Sequence, residues 1–284
     1  MTGTTKIEIR DLEHVYQSDF SSVQALASVN LAVSDGEFVA LLGPSGCGKS
    51  SLLRIVAELQ RPTRGSVAIY SSTNKENGGP KTALVFQEYA LFPWRTVLEN
   101  VVFSLEMRGV SRDDRLTRAR EVIGRVGLQG FSDAYPHQLS GGMRQRVGIA
   151  RALAAQPEVL LMDEPFGALD AQTRTVLQEE LLRVWESERK TVLYVTHSID
   201  EAVYMSDRVV LLTARPGRIK AEYLVELPRP RTMEMRGWNS YTKMSLDIWS
   251  CLREEVESAP SHDDTDSPAN GLFNSSKPSS RSNR

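Results

Sequence analysis

The stretch that decides the fold is "GPSGCGKS", which runs from Gly43 to Ser50. Its two outer glycines, followed by Lys49 and Ser50, match the phosphate-loop pattern. In this motif backbone N–H groups surround phosphates, the lysine reaches the β- and γ-phosphates, and the hydroxyl binds magnesium. The apolar run "EFVALLG" before the loop is typical of a buried strand, and "SSLLRIVAEL" after it has helical spacing. Because the motif requires a strand, a glycine loop and a helix in this order, we predict a nucleotide-binding domain.

A second stretch, "VLLMDEP", ends a predicted strand with two acidic residues. The apolar residues bring Asp163 to the end of the strand, where a carboxylate can hold magnesium. Glu164 follows it and can position or deprotonate a water beside the γ-phosphate. The alternative is a solvated strand end, but the glycine loop in the same chain favours the magnesium site. The pair therefore predicts nucleotide hydrolysis.

A third stretch, "LSGGMRQR" from Leu139 to Arg146, also has the character of an anion site. A hydroxyl residue and two glycines precede a segment that can form a helix, and N–H groups at a helix N-terminus favour phosphate. This turn has no lysine of its own. The chain thus contains two phosphate-facing glycine turns and only one phosphate-loop lysine.

Strands alternate with helices on both sides of a helical segment, which predicts an α/β fold with a largely parallel sheet. Short β segments occupy residues 6–42, and the strand–helix alternation resumes after residue 151. Residues 90–151 have helical periodicity and weak strand signals, so we expect a helical insert. Its arginines between residues 112 and 120 alternate with acidic residues, which favours a solvated helix face over a nucleic-acid patch.

The C-terminal part is harder to interpret. The segment "RGWNSYTKMSLDIWSCLREEVES" predicts a helix, whereas Ser, Pro, Asn and Asp dominate from residue 259 onward. Such a polar composition cannot bury enough apolar surface to order a chain. We therefore expect a nucleotide-hydrolysing domain over residues 1–220, a helical extension over 221–258 and a disordered tail over 259–284.

The composition narrows the functional classes. The formal net charge is -2 and the pI is about 6.2, so the chain as a whole does not attract nucleic acid. We therefore expect no nucleic-acid partner. Two cysteines without paired spacing, Cys47 and Cys251, predict neither a disulfide framework nor a zinc site. Cys47 is interpreted as a small side chain of the loop rather than a nucleophile, because no base neighbours it. The sequence has no signal-peptide pattern and no apolar run of roughly 18 residues that could cross a bilayer.

The motifs occur together in an order that resembles the ATP-binding subunits of ABC transporters. The resemblance covers about residues 6–220. It rests on the phosphate loop at 43–50, Gln87 after "LVF", "LSGGMRQR" at 139–146, "LLMDEP" at 160–165, "ALD" at 168–170 and His197 after "LYVT". It implies a P-loop NTPase fold of the ABC type, with a largely parallel core sheet, an antiparallel β subdomain and an inserted helical subdomain at about 90–151. ATP and Mg2+ are the implied cofactors.

The resemblance also accounts for the second glycine turn. In this family two ATPase subunits pack head to tail around two ATP molecules, and the "LSGG" turn of one subunit caps the γ-phosphate held by the other. Ser140, Gly141 and Gly142 would thus serve the neighbour's nucleotide, and Asp170 would lie at the homodimer interface. The next position is often Gln in the family and is Met143 here; we expect the cap to work.

Other roles are carried over one residue at a time. The aromatic under the adenine would be Tyr16, and the alternative for this lone tyrosine is a place in the core. Gln87 would contact magnesium or the attacking water, and His197 would contact the γ-phosphate and hold the water of Glu164. The implied loop contacts to ATP are Gly43, Pro44, Ser45, Gly46, Cys47, Gly48, Lys49, Ser50 and Ser51, where the last replaces a commoner threonine. The implied magnesium ligands are Ser50, Gln87 and Asp163.

The segment "EYALFPWRTVLENV" is the family's docking surface for a membrane permease. Its cluster Tyr89, Phe92, Pro93 and Trp94 is apolar for a loop, although it could instead pack inside the helical insert. With "TARPGRI" at 213–219, it is similar to importer ATPases for nitrate, sulfonates, taurine and related small organic anions or thiamine precursors. These imply a small-anion solute, a separate permease and solute-binding protein, and a peripheral location on the cytoplasmic face of the inner membrane.

Two other functional classes remain open. A soluble ABC ATPase acting on ribosomes or DNA usually has two ATPase domains or a long coiled-coil insertion, and neither is visible in the sequence. A small-molecule phosphotransferase would not need "LSGG" or a glutamate placed beside water.

Overall fold

The computed structural model describes residues 4–18, 21–71 and 80–258. The tail predicted to be disordered, 259–284, lies outside these ranges. Within them, no helix is both long enough and apolar enough to cross a membrane. The strands are β1 (Thr5–Gln17), β2 (Ser22–Ser34), β3 (Phe38–Leu42), β4 (Arg64–Ile69), β5 (Thr82–Val85), β6 (Val159–Asp163), β7 (Thr191–Val195), β8 (Arg208–Leu212) and β9 (Ile219–Leu224). The helices are α1 (Lys49–Val56), α2 (Val97–Met107), α3 (Arg112–Arg125), α4 (Gly141–Ala154), α5 (Ala171–Glu188), α6 (Ile199–Met205) and α7 (Asn239–Ser258).

The core sheet has six strands in the order β5-β6-β7-β3-β8-β9. All neighbouring pairs are parallel except β8 and β9, which are antiparallel. Every residue of β3, β6 and β7 is buried, which explains why these strands are mostly apolar. The carboxyl ends of the parallel strands meet at one edge, where α/β proteins bind their ligands.

Two apolar layers cover the sheet. One face packs against α1 and a three-stranded antiparallel sheet of order β2-β1-β4, through residues such as Leu12, Val29 and Leu52. The other face packs against α5, α6 and α7, through Trp185, Tyr204 and others. The predicted antiparallel subdomain is therefore the layer that lies beside the phosphate loop.

The helical insert forms a subdomain with its own apolar core. α2, α3 and α4 contribute Val101, Ile123 and Val147 to one buried cluster. Thr96 begins α2 with a capping box, in which its side chain accepts from the backbone N–H of Glu99 and the Glu99 carboxylate accepts in return. The last helix of the insert, α4, continues to Ala154, three residues past residue 151, where we expected the insert to end.

Residues 213–258 contain more regular secondary structure than their sequence suggests. Residue 220, the expected end of the ATPase domain, lies inside β9, which is a strand of the core sheet. The helix expected near the C-terminus is present as α7, and it packs on the core through Tyr241 and Ile248. The extension is thus built onto the same core as the phosphate loop.

Candidate nucleotide site

The phosphate loop connects β3 to α1 and closes tightly on its own lysine. The Lys49 ammonium donates to the carbonyls of Gly43 at 2.8 Å and Pro44 at 2.9 Å, and the residue is buried. Gly48 has a φ of 101°, and a Cβ there would come within 2.7 Å of the Leu26 side chain, so only glycine fits. The positive charge is therefore fixed at the centre of the loop.

A hydroxyl at the start of α1 and a carboxylate at the end of β6 form a hydrogen bond. The Ser50 hydroxyl donates to a carboxylate oxygen of Asp163 at 2.8 Å. Burial raises the pKa of Asp163, an effect that the Ser50 hydrogen bond opposes. Mg2+ prefers oxygen ligands and is commonly held by one or two protein groups together with substrate phosphates. This pair fits that pattern, since the phosphate loop lies directly beside it.

The Glu164 side chain contacts the loops that follow β5 and β7, at the carboxyl ends of the strands. Its Oε2 accepts from Gln87 Nε2 at 3.3 Å and lies 3.3 Å from His197 Nδ1. Gln87 follows β5 and His197 follows β7, on the two sides of β6. Glu164 itself has a φ of 44°, a conformation that costs free energy for a residue other than glycine and is often found at functional sites. The arrangement can hold a water between a carboxylate and two polar partners.

Four of these groups, Lys49, Ser50, Gln87 and Glu164, line one cleft of about 470 Å³. Its walls include Tyr16, Ser45, Lys49, Ser50, Ser51, Gln87, Glu164 and Arg215. Tyr16 is 41% exposed and its hydroxyl is 2.9 Å from that of Ser51, so the ring lies on the cleft wall and not in the core. The cleft thus places an aromatic surface, a lysine and a carboxylate around one volume.

The second glycine turn lies outside this cleft. Ser140 begins α4 and its hydroxyl accepts from the backbone N–H of Met143 at 3.3 Å. Ser140 is exposed, whereas Gly142 is buried, and a Cβ on Gly142 would come within 2.5 Å of Thr173 Cγ2 on α5. The glycine therefore allows α4 and α5 to pack closely at their N-termini.

Asp170 stands at the start of the neighbouring helix. Its carboxylate accepts from the backbone N–H of Thr173 at 3.0 Å and caps α5. This N–H donation lowers the pKa of Asp170. Because Thr173 contacts both Asp170 and the Gly142 position, Ser140 and Asp170 belong to one exposed surface of the chain.

Comparison with known proteins identifies the fold and the chemistry. The family model for ABC transporters matches residues 26–167. The chain belongs to this family. It is 52% identical over 251 residues to the uncharacterized ABC transporter ATP-binding protein MJ0412 of Methanocaldococcus jannaschii, covering 88% of this chain and 92% of that protein.

Two relatives carry functional names. The nitrate import ATP-binding protein NrtD of Synechocystis is 43% identical over 265 residues, 90% of this chain and 99% of that protein. The aliphatic sulfonates import ATP-binding protein SsuB of Bacillus cereus is 42% identical over 240 residues, 84% of this chain and 94% of that protein. The predicted subfamily is therefore confirmed.

A solved structure agrees with the predicted fold. The ATP-binding cassette MJ0796, in a dimeric post-hydrolysis state bound to ADP and Pi, matches with a TM-score of 0.68 and 33% identity. The match covers 78% of this chain and 100% of that one. The ABC-type fold is confirmed, and this chain is an ABC ATPase subunit.

The remaining loop residue of note in this ABC subunit is Cys47. It is buried, and burial raises the pKa of its thiol, although the nearby Lys49 ammonium opposes the shift. A raised thiol pKa disfavours the reactive thiolate. The side chain fills space under the loop.

The expected docking segment of the ABC subunit divides into two parts. Phe92 packs on Phe103 with ring centroids 4.6 Å apart, and Tyr89 lies under the Arg144 guanidinium at 5.3 Å. Pro93 is exposed, and Trp94 is 71% exposed. The packing interpretation thus applies to Phe92 and Tyr89, whereas Pro93 and Trp94 are left at the surface.

Sequence reasoning missed two groups near the site. Glu201 of α6 is buried and accepts from the Tyr194 and Thr196 hydroxyls, each at 2.7 Å, which anchors the loop that carries His197. Arg215 reaches the cleft from the loop between β8 and β9. The only sequence signal for the second group is "TARPGRI", which the resemblance used without giving the arginine a role.

Proposed function

We propose that this ABC ATPase hydrolyses ATP to drive import of a small anion such as nitrate, a sulfonate or taurine through a separate permease. The observation that carries the proposal is the grouping of Gln87 and His197 around the carboxylate of Glu164, which lines the same cleft as Lys49. A carboxylate held beside the γ-phosphate position can take a proton from an attacking water.

Each cleft residue has a distinct role in this proposal. Residues Gly43–Ser51 surround the phosphates, with the Lys49 charge on the β- and γ-phosphates. Ser50 and Asp163, together with Gln87, are the residues that would hold Mg2+, and the ion would supply positive charge beside the phosphates. Tyr16 stacks on the adenine through its exposed ring. His197 holds the water against Glu164 and contacts the γ-phosphate.

The second glycine turn acts on the ATP of another copy. Ser140, Gly141 and Gly142 lie outside the cleft of their own chain and present N–H groups at the start of α4. A helix N-terminus favours an anion, and the γ-phosphate of a second subunit is the anion we assign to it. Asp170, on the same exposed surface, lies at the interface and links the two sites.

Coupling to transport occurs at the exposed residues of the aromatic-and-proline cluster in the docking segment. These are Pro93 and Trp94, which contact the permease on the cytoplasmic face of the inner membrane, where the subunit is peripheral. The relatives named for nitrate and sulfonates support a small-anion solute delivered by a separate binding protein.

The Lys49→Ala variant tests the ATPase assignment. It removes the charge from the centre of the loop, so ATP affinity and phosphate release should both fall sharply. The matched control is Lys81→Ala, which removes the same charge from an exposed position outside the cleft. Phosphate release at the wild-type rate in the Lys49→Ala protein would overturn the proposal.

A further inference from the structure

We infer that Arg215, which belongs to none of the nucleotide motifs, binds the phosphate chain of ATP from the side of the cleft opposite Glu164. The inference rests on the proposed ATP site and adds a second cation to it. Arg215 lines the same cleft as Lys49 and Tyr16. It reaches the cleft from the end of β8, whereas Glu164 comes from β6, on the other side of β3.

The guanidinium contacts the phosphate loop directly. Its Nε donates to the carbonyl of Gly46 at 3.1 Å. A Cβ on Gly46, whose φ is 73°, would come within 2.8 Å of the Arg215 Nη2, so the glycine leaves room for this approach. A guanidinium has five N–H donors in a rigid fork suited to phosphate oxygens, and one of them is used here. Within the described ranges no carboxylate pairs with Arg215 in a salt bridge, so an anion in the cleft would be its ionic partner.

The loop that carries Arg215 is fixed on two sides. Gly217 donates from its backbone N–H to Ala25 at 2.9 Å and accepts from Ala27 at 3.0 Å, which joins the loop to β2. A Cβ on Gly217 would collide with the carbonyl of Cys47, so the loop backbone lies directly against the phosphate loop. These contacts hold the loop of Arg215 in a defined position beside the phosphate loop.

α7 supplies the other support. The carboxylate of Glu255 accepts from the backbone N–H of Ala214 at 2.9 Å, one residue before Arg215. The same carboxylate pairs with Lys220 on β9 at 2.8 Å. The C-terminal helix therefore contributes to the nucleotide site by holding this loop.

The test compares Arg215→Gln with Arg218→Gln, using the full chain and calorimetric titration with ATP. Glutamine keeps a donor for the Gly46 carbonyl but carries no charge. Arg218 is exposed in the same loop and does not line the cleft, so it controls for the general loss of one charge. We expect ATP affinity to fall about tenfold in Arg215→Gln, the low end for a hydrogen bond to a charged group, and to stay at the wild-type value in Arg218→Gln. Without nucleotide, the wild-type protein and both variants should have equal unfolding midpoints.

Several results would overturn the inference. Wild-type ATP affinity in Arg215→Gln would do so, and equal losses in both variants would show only a general charge effect. The Lys49→Ala protein distinguishes a failure of the Arg215 inference from a failure of the proposed ATP site. If Lys49→Ala still binds ATP with wild-type affinity, the proposed function itself is wrong.

The support from α7 is tested by a neighbouring pair of glutamates. Glu255→Ala removes the acceptor of the Ala214 N–H, whereas Glu254→Ala removes only an exposed contact to Lys220. ATP affinity should fall in the first variant and not in the second. Equal affinities in the two variants would remove α7 from the site.

Discussion

Replacing Glu164 by glutamine should slow hydrolysis without weakening ATP binding. The carboxylate oxygen Oε2 lies 3.3 Å from both Gln87 Nε2 and His197 Nδ1. The amide of glutamine has the same shape, and its oxygen can keep both contacts, so the local structure should persist. What is lost is the base that takes the proton from water, which usually contributes about 10²–10⁴ in rate. This corresponds to about 2.7–5.4 kcal/mol of activation free energy.

The assay is phosphate release in a single turnover, with ATP affinity measured in parallel by calorimetry. Affinity should stay near the wild-type value, because Lys49, Ser50 and Asp163 are unchanged. The matched control is Glu88→Gln, which neutralises an exposed carboxylate in the loop of Gln87 without lining the cleft. A loss in rate below about tenfold in Glu164→Gln, or an equal loss in the control, would refute the role of Glu164 as base.

Three further changes test other parts of the site. Tyr16→Ala should weaken ATP binding by about 1–2 kcal/mol while Tyr16→Phe keeps the ring and most of the affinity, as measured by calorimetry; equal affinities in both variants would exclude stacking. Trp94→Glu should leave the unfolding midpoint and ATP affinity intact but abolish co-purification with the permease. Phe92→Glu should instead destabilise the fold, because the Phe92 ring packs on its neighbours. Gly142→Ala should lower the free energy of unfolding by about 1–3 kcal/mol. Adding Thr173→Ser should restore most of this loss, because it removes the methyl group that the new Cβ would meet. A loss that Thr173→Ser does not restore would place the strain elsewhere.

The parts of the fold that follow local rules could be predicted from the sequence. β3 and β6 are runs of apolar residues because both of their faces are buried, and their carboxyl ends carry the phosphate loop and the acidic pair. Parallel strands bring such ends together, so the meeting of Ser50 with Asp163 follows from the order of the elements. The resemblance then placed Gln87 and His197, which no local pattern distinguishes from ordinary loop residues.

Features that depend on tertiary contacts were not predictable in this way. β9 is an edge strand with no fully buried residue, so its sequence lacks the apolar run that marks the other strands. The short helix α6 was also missed, and its buried Glu201 is satisfied by hydroxyls from β7 and the loop after it. Arg215 is brought to the cleft by contacts of Gly217 that only the folded chain reveals. Each of these positions depends on a partner far away in sequence.

The central claim is that the phosphate loop of one copy and the "LSGG" turn of another enclose the same ATP. Light scattering of the Glu164→Gln protein with ATP tests it most directly, because bound ATP that is not hydrolysed should hold two copies together. We predict an ATP-dependent dimer, which should disappear when Ser140→Arg is added, since the cationic side chain fills the space of the neighbour's γ-phosphate. Gly130→Arg, at an exposed position with open space around it, is the control and should leave the dimer intact. A dimer that persists with ATP in the Glu164→Gln/Ser140→Arg protein would contradict the claim.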